Sequence, residues 1–168
     1  MEIKVYITSK LRHAEKLSQL RLDGIHINSR WIDTVRMPNA RKKPVTHWQQ
    51  ENFDDIAASH FVILYLEAGD ELEGQLWEAG YACGLGRKIW VAGDGHGVEV
   101  DIPDQPGATM RLPHRGILPW ALYRPQVRVV LSLETAFTMI KREALPRTTL
   151  KADGTPFTER VEDVFTPR

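Results

Sequence analysis

The sequence predicts a single α/β domain with a mostly parallel sheet of about five strands. Short β-rich or apolar runs alternate along the chain with segments of helical character, an order that is typical of parallel strands joined by helices. The run HFVILYL, residues 60–66, is almost continuously apolar, as expected of a strand whose two faces are both covered by helices. These two observations indicate a three-layer sandwich of the Rossmann or flavodoxin type.

Composition limits the classes of protein to which the chain can belong. Its 168 residues are 42% hydrophobic, which suits one domain with a substantial core. Twenty-two basic residues balance twenty-two acidic ones, so no net charge attracts a nucleic acid polymer or an anionic membrane. The single cysteine, Cys83, allows no intramolecular disulfide, the start MEIKVYI does not resemble a signal peptide, and no apolar run approaches the ~20 residues that span a bilayer. We therefore expect a soluble, cytoplasmic protein that binds neither a nucleic acid polymer nor a membrane.

The first half of the chain begins with a strand and a helix. Residues 3–8 (IKVYIT) form a β-rich run, and residues 10–22 carry leucines among charges, as a surface helix does. A weaker β signal follows over residues 24–28. The polar, proline-containing stretch 29–46 has no clear period and is predicted to be a surface loop. Residues 47–59 are predicted to be helical and to lead into the apolar central strand.

The second half repeats the strand-and-helix order before the pattern breaks. After the acidic turn EAGDELEG come a helix that ends near Gly86 and an apolar strand at residues 88–92. Residues 93–125 contain many glycines and prolines and are predicted to form a long loop or flap. Residues 127–145 provide a last strand and a helix with Ser132 as its N-cap, which complete the domain. Residues 146–168 are predicted to form a C-terminal tail.

The carboxyl ends of the predicted strands indicate where a ligand would bind. The loop after the first strand, TSKLRH, offers Ser9, Lys10 and Arg12 beside a helix N-terminus, an arrangement that favours an anion such as a 5′-phosphate. The alternative is an N-cap serine with solvated cations. Trp31 is placed either to stack on a nucleobase or to pack on the core as a lid.

One carboxylate, that of Glu78, lies within a helix of mainly small and apolar residues, GQLWEAGYACGLG. On a 3.6-residue period Glu78 shares a face with Glu71, Gly74, Gln75, Tyr81 and Ala82, which points away from the main packing stripe. A separate apolar stripe, which can lie on the sheet, consists of Leu72, Leu76, Ala79 and Cys83. The three glycines at 74, 80 and 84 each cost about 1 kcal/mol of helix propensity, which requires a reason of packing or access. The alternative is a solvated glutamate on an exposed face.

The run GQLWEAGYACGLGRKIWV resembles the signature of the nucleoside 2-deoxyribosyltransferases and their nucleotide N-hydrolase relatives. A glycine lies four residues before the glutamate, and a small-Gly-aromatic-Ala run, Gly-Arg and a strand follow it. KVYITSKLR resembles the first strand and loop of that family, FDDIAASHFVILYL its helix and central strand, and VRVVLSLETAF its closing strand and helix. The likeness covers roughly residues 3–93 and 127–143.

The resemblance implies that Glu78 is a nucleophile that forms a covalent glycosyl-enzyme. The implied reaction cleaves the N-glycosidic bond of a (deoxy)nucleoside or its 5′-monophosphate and transfers the sugar to another base or to water. Tyr6 resembles the substrate-side tyrosine of the family, with a core position as the alternative, and Gly74 and Tyr81 occupy places of the signature. The family also assembles its sites across subunits, which implies a homodimer or higher homo-oligomer.

The chain departs from the family at two positions. An aspartate of the family falls on Asn52, and an acid at the start of the central strand falls on His60. An asparagine hydrogen-bonds to a sugar or a base but cannot act as an acid. Asp54 or Asp55 could take that role, with a solvent-facing position as the alternative for Asp55. The departures keep two other hypotheses open, a nucleotide-binding module without turnover and an NAD glycohydrolase.

The sequence predicts no cofactor and no metal. The six histidines never fall at metal-ligand spacing, and one cysteine does not suffice for a typical zinc site. The glycines of Gly84-Leu85-Gly86 precede a strand instead of following one, so they do not form a dinucleotide-binding fingerprint.

Overall fold

Five parallel strands form the central sheet of the computed structural model, in the order β2-β1-β3-β4-β7. The structure describes residues 2–20, 22–35, 37, 44–67, 69–103, 105–119, 124–144, 148–150 and 156–158. The sheet strands are β1 (Ile3–Thr8), β2 (Ile25–Ile27), β3 (Phe61–Tyr65), β4 (Lys88–Ala92) and β7 (Val127–Val129). In sheet numbering this is the 2-1-3-4-5 order of flavodoxin-like folds, and helices flank the sheet. The predicted α/β fold class is confirmed.

The central strand β3 is the most deeply buried part of the sheet. Its five residues are fully buried, because β1 and β4 pair with its two edges and helices cover its faces. The uniformly apolar sequence is what such a position requires, since neither face meets water. β1 runs beside β3 with Tyr6 opposite Val62 and Thr8 opposite Leu64, so both strands end at the same edge of the sheet.

Five α-helices lie wholly within the described residues. α5 shows why the sequence forms them: the Oγ of Ser132 accepts a hydrogen bond from the backbone N–H of Thr135 at 3.2 Å, as an N-cap does. The apolar face that α5 buries contains Ala136, Phe137 and Ile140, at the helical spacing that the sequence shows. The helices are α1 (Ala14–Ser18), α2 (Arg30–Thr34), α3 (Val45–Ala57), α4 (Gly74–Gly84) and α5 (Leu133–Ala144).

Two segments predicted as irregular contain regular structure. The stretch 29–46 was predicted to be a loop, but it holds the short helix α2 and the start of α3; its residues 36, 38–43 lie outside the described part. The helical period of α2 was missed because five residues give too short a window.

The segment 93–125 contains an antiparallel hairpin of β5 (Val98–Asp101) and β6 (Thr109–Leu112), followed by a 3₁₀ turn at Arg115–Ile117. Ile117 is fully buried, so this part of the predicted flap packs on the domain. Residues 104 and 120–123 of the segment lie outside the described residues.

Only part of the predicted C-terminal tail is described. Two short strands, β8 (Thr148–Leu150) and β9 (Pro156–Thr158), pair antiparallel. Residues 145–147, 151–155 and 159–168 lie outside the described part. Within the described ranges, no helix combines the length and the apolar character needed to cross a bilayer.

Candidate active site

The carboxylate of Glu78 lies in the middle of α4, where it meets β1 and α3. Its Oε2 accepts a hydrogen bond from the hydroxyl of Tyr6 at 3.0 Å. Its Oε1 accepts a second one from the side-chain amide of Asn52 at 2.7 Å. The residue is only partly buried, so the site keeps an opening to solvent. Glu78 is therefore not a solvated glutamate on an exposed helix face.

The strand β1 supplies two hydroxyl groups to this site, because alternate residues of a strand point to the same face. Tyr6 and Thr8 are both fully buried, and both approach Glu78. The hydroxyl of Thr8 makes no well-formed hydrogen bond to any described residue, yet it lies near enough to Glu78 to favour the charged carboxylate. The sequence reasoning missed Thr8, although its spacing of two from Tyr6 is the signal that could have found it.

Helix α3 forms the opposite wall of the site. It packs beside α4 and presents Asn52 to the carboxylate of Glu78. The ring of Phe53 on α3 lies against the ring of Tyr81 on α4, with centroids 4.4 Å apart and planes at 35°. Aromatic contacts of this kind are worth about 0.5–1.5 kcal/mol beyond the area they bury. The structure thus places Tyr81, which is partly exposed, in the contact that sets the spacing of the two helices.

Burial and hydrogen bonding act in opposite directions on the charge of Glu78. Burial raises the pKa of the Glu78 carboxyl, whereas the neighbouring hydroxyl of Thr8, the amide of Asn52 and the hydroxyl of Tyr6 lower it, and burial is the larger effect. The pKa of Tyr6 lies well above its ordinary value, first because of burial and then because of the Glu78 charge. Tyr6 is therefore a hydrogen-bond donor to the carboxylate and a poor acid.

The buried face of α4 differs from the predicted stripe. Ala79 is buried as expected, but Gln75 and Ala82 are buried beside it, while Leu76 and Cys83 are only partly buried. α4 therefore packs on the sheet with a face that includes Gln75 and Ala82, which lie on the same side of the helix as Glu78.

The helix glycines are open to solvent on the outer side of α4. A Cβ added to Gly74, Gly80 or Gly84 would meet nothing within 4 Å. Packing among the described residues therefore does not require a glycine at these three positions, and this side of the helix is open within that part of the structure.

The predicted anion site after β1 is neutralised by carboxylates from the loop that follows β3. Lys10 lies 3.4 Å from Glu73, and the guanidinium of Arg12 lies 2.8 Å from buried Asp70. Ser9 is not an N-cap, because its hydroxyl donates to the backbone oxygen of Tyr65 at 2.9 Å. A short 3₁₀ turn, Leu11–His13, begins here, and its first turn has no side-chain cap. Both cations thus have a carboxylate partner, and an anion-binding role of this loop stays a prediction.

Asp70 anchors a polar cluster that the sequence reasoning did not indicate. Its carboxylate accepts hydrogen bonds from Arg12, from the Nε2 of buried His13 at 3.1 Å, and from the backbone N–H of Glu67 at 2.7 Å. The hydroxyl of Tyr65 donates to Glu67 at 2.6 Å. That hydrogen bond is the main reason that the pKa of the Glu67 carboxyl is lowered. The cluster joins the loops after β1 and β3 to each other.

Two residues expected to bind substrate are already occupied elsewhere. Trp31 is 4% exposed, and its indole N–H donates to the backbone oxygen of Ile7 at 2.7 Å, so its ring has no face free for a nucleobase. Asp55 is also buried, and its two oxygens accept from the Nε of Arg30 at 2.7 Å and from the backbone N–H of Arg30 at 3.0 Å. Trp31 thus takes the packed position that was the alternative for it, and Asp55 is buried and does not face solvent; a substrate-binding role of either residue stays a prediction. Asp55 instead fixes α2 to α3.

His60 lies at the other end of the sheet from Glu78. It precedes the amino end of β3, and its Nδ1 accepts a hydrogen bond from the backbone N–H of Lys4 at 3.0 Å. Burial lowers the pKa of His60. Of the two positions at which the chain departs from the family, Asn52 therefore changes a group that contacts Glu78, and His60 does not.

The described residues contain no group of three or more histidine, cysteine, aspartate or glutamate side chains that could hold a metal ion. No protein-family model and no curated protein matches the chain. The resemblance to the deoxyribosyltransferases therefore rests on the motifs quoted above and stays a prediction.

Proposed function

We propose that the protein cleaves the N-glycosidic bond of a (deoxy)nucleoside, or of its 5′-monophosphate, with Glu78 as the nucleophile. The observation that carries this proposal is the contact of one partly buried carboxylate with Tyr6 and Asn52, near the carboxyl end of β1. In the 2-1-3-4-5 sheet order, β1 and β3 flank the topological switch point, where ligands of such folds bind. α4 packs against both strands and so holds Glu78 at that place.

The proposed reaction begins with attack of a Glu78 oxygen on the anomeric carbon of the sugar. The carbon–nitrogen bond breaks, its electron pair stays on the base, and a glycosyl ester forms. Water or a second base then attacks the same carbon and returns the electron pair to Glu78. The donors Tyr6 and Asn52 each use one oxygen of the carboxylate, and each oxygen keeps a second lone pair for the attack.

The charge distribution favours nucleosides over their monophosphates. Lys10 and Arg12, which the sequence suggested as phosphate ligands, are paired with Glu73 and Asp70. A 5′-phosphate would have to compete with these carboxylates for the two cations. The proposed substrate is accordingly a nucleoside first and a nucleotide second.

We also propose that the protein is a cytoplasmic homodimer or higher homo-oligomer. The outer side of α4 supports association, because the indole of Trp77 is 79% exposed beside the bare backbone of Gly80 and Gly84. An exposed tryptophan next to small residues is typical of a surface that meets another protein. Cys83, which forms no disulfide within the chain, agrees with a reducing compartment.

The decisive experiment measures release of free base. Wild-type protein is incubated with deoxynucleosides and with their 5′-monophosphates, with and without a second base as acceptor, and the products are separated by chromatography. Glu78→Gln keeps the shape of the side chain and removes its charge, and Glu71→Gln is the matched control, because Glu71 is exposed in the loop before α4.

Base release by wild type and by Glu71→Gln, but not by Glu78→Gln, supports the proposal. Activity that survives in Glu78→Gln contradicts Glu78 as the nucleophile. Binding of a nucleoside by calorimetry without release of base would instead favour a binding module without turnover.

A further inference from the structure

The carboxylate of Glu78 is surrounded by neutral groups. Among the described residues, its hydrogen-bond donors are the hydroxyl of Tyr6 and the amide of Asn52, and the third polar neighbour is the hydroxyl of Thr8. None of these groups carries a positive charge that would cancel the carboxylate. Among the described residues, the groups in contact with Glu78 therefore leave its negative charge uncompensated in a partly buried setting, where an electrostatic attraction is stronger than in water.

None of the groups that contact Glu78 is a useful acid for a departing base. An asparagine amide does not release a proton, and the hydroxyl of Tyr6 has a pKa well above its ordinary value and already donates to Glu78. Asp55 lies one helical turn after Glu51 on α3. Both of its carboxylate oxygens accept hydrogen bonds from Arg30. Asp54 is exposed and accepts from Gln50 at 2.9 Å. These contacts leave the base to depart without a proton from the groups described around the carboxylate.

The charge of the base decides whether it can leave in that way. A neutral nucleoside whose carbon–nitrogen bond breaks without protonation releases an anionic base, which is a poor leaving group. A base that is cationic in the substrate, such as a pyridinium or an N7-alkylated purinium, takes up the electron pair of the broken bond and departs as a neutral molecule. It needs no acid.

We propose that this site is specialised for N-glycosides whose base carries a positive charge. The inference rests on the proposed function and deepens it by naming the substrate class. Two features of the site support it together: neutral donors hold the nucleophile, and an uncompensated carboxylate attracts the cationic ring.

The reaction balances without a further reactant. A Glu78 oxygen forms a bond to the anomeric carbon, the carbon–nitrogen pair moves onto the ring nitrogen and cancels its positive charge, and the neutral base leaves. Water then attacks the anomeric carbon and loses one proton to solvent, while the carbon–oxygen pair returns to Glu78. The products are a free sugar, a neutral base and one proton.

The test compares substrates that differ in charge and little else. 7-Methylguanosine, assayed below neutral pH where its ring is cationic, is paired with guanosine, and nicotinamide riboside serves as the pyridinium substrate. We expect kcat/KM for both cationic ribosides to exceed that for guanosine by at least about 100-fold, since an unassisted anionic base loses the contribution of general acid catalysis. Spontaneous cleavage, and cleavage by Glu78→Gln, are subtracted for each substrate.

A second variant tests whether the site itself causes the preference for a cationic base. This control is needed because cationic glycosides are also cleaved more easily without an enzyme. Asn52→Asp places a carboxyl group of the same shape at the amide position. It should raise kcat/KM for guanosine relative to 7-methylguanosine by about tenfold or more, because the protonated carboxyl can supply a proton to the base. The guanosine rate should fall as the pH rises and that carboxyl ionises. Glu71→Gln should leave the ratio unchanged.

The outcomes distinguish this inference from the proposed function. Guanosine cleaved by wild type as efficiently as 7-methylguanosine overturns the inference and leaves N-glycoside cleavage standing. A substrate ratio that is the same in wild type and in a folded Asn52→Asp protein overturns the role given to the amide. No base release from any riboside or deoxynucleoside overturns both proposals.

Discussion

The amide of Asn52 on α3 donates a 2.7 Å hydrogen bond to Oε1 of Glu78 on α4. This contact joins two helices that lie on either side of the central strand β3 in the chain, and the Phe53–Tyr81 ring contact follows one residue further along α3. The position of the candidate nucleophile therefore depends on how α3 and α4 pack together.

Tyr6→Phe should lower activity and shift its pH dependence. The variant removes the 3.0 Å hydrogen bond to Oε2 of Glu78 and keeps the buried ring. A donor to a carboxylate favours the charged form, so its loss raises the pKa of Glu78 further and moves the acid limb of the pH–rate profile to higher pH. We expect kcat/KM to fall about tenfold at neutral pH, the effect of one charge-assisted hydrogen bond. An unchanged acid limb would show that Tyr6 does not act on the ionised nucleophile.

Asp70→Asn should destabilise the protein without touching Glu78. Asp70 is 4% exposed and holds Arg12, His13 and the backbone of Glu67, so the neutral amide would lose charge-assisted bonds in a buried place. We expect the free energy of unfolding to drop by about 2–4 kcal/mol. Denaturant unfolding measures the change. Glu71→Gln, at the neighbouring exposed position, should stay within about 0.5 kcal/mol of wild type.

Much of the fold could be predicted from the sequence because it depends on local patterns. The apolar run of β3 and the cap at Ser132 are each contained in a few consecutive residues. The ion pairs that neutralise the loop after β1 were not predictable, since Lys10 pairs with Glu73, far away in the chain. The hairpin of residues 98–112 was hidden because its surrounding glycines and prolines suggested irregular structure.

In the candidate site, too, some features follow from local sequence and others depend on contacts between distant residues. Glu78 could be recognised from its motif, but the donors that hold it come from β1 and α3 and meet it only through packing. The burial of Trp31 depends on where the short helix α2 docks, and no period in the sequence indicates that position. Local patterns thus indicated Glu78 as the candidate nucleophile, and tertiary packing determined its neighbours.

Gly80→Ala and Gly93→Ala should change stability in opposite directions. At Gly80 an added methyl group meets nothing within 4 Å, so the substitution should stabilise the isolated chain by about 0.5–1 kcal/mol through helix propensity. At Gly93 the same methyl group would lie 2.9 Å from the backbone oxygen of Leu131 and 3.0 Å from the Cβ of Pro113. Thermal unfolding at a protein concentration low enough to dissociate the proposed oligomer should show a higher Tm for the first variant and a lower Tm for the second. A loss of stability in Gly80→Ala that appears only at higher protein concentration would agree with another chain packing on this glycine.

Trp77→Lys should convert the proposed oligomer into a monomer. Trp77 is 79% exposed on the outer side of α4, so the lysine side chain fits there without disturbing the core. In an interface the new charge would be buried without a partner, which is costly and favours dissociation. Sedimentation velocity at micromolar concentration measures the effect: wild type should sediment as a dimer or larger species and Trp77→Lys as a monomer with the same far-UV circular dichroism. Glu71→Lys, a charge change at an exposed residue before α4, serves as the control and should leave the assembly intact. A wild-type protein that sediments as a monomer, or a Trp77→Lys protein that stays assembled, would contradict association through this side of α4.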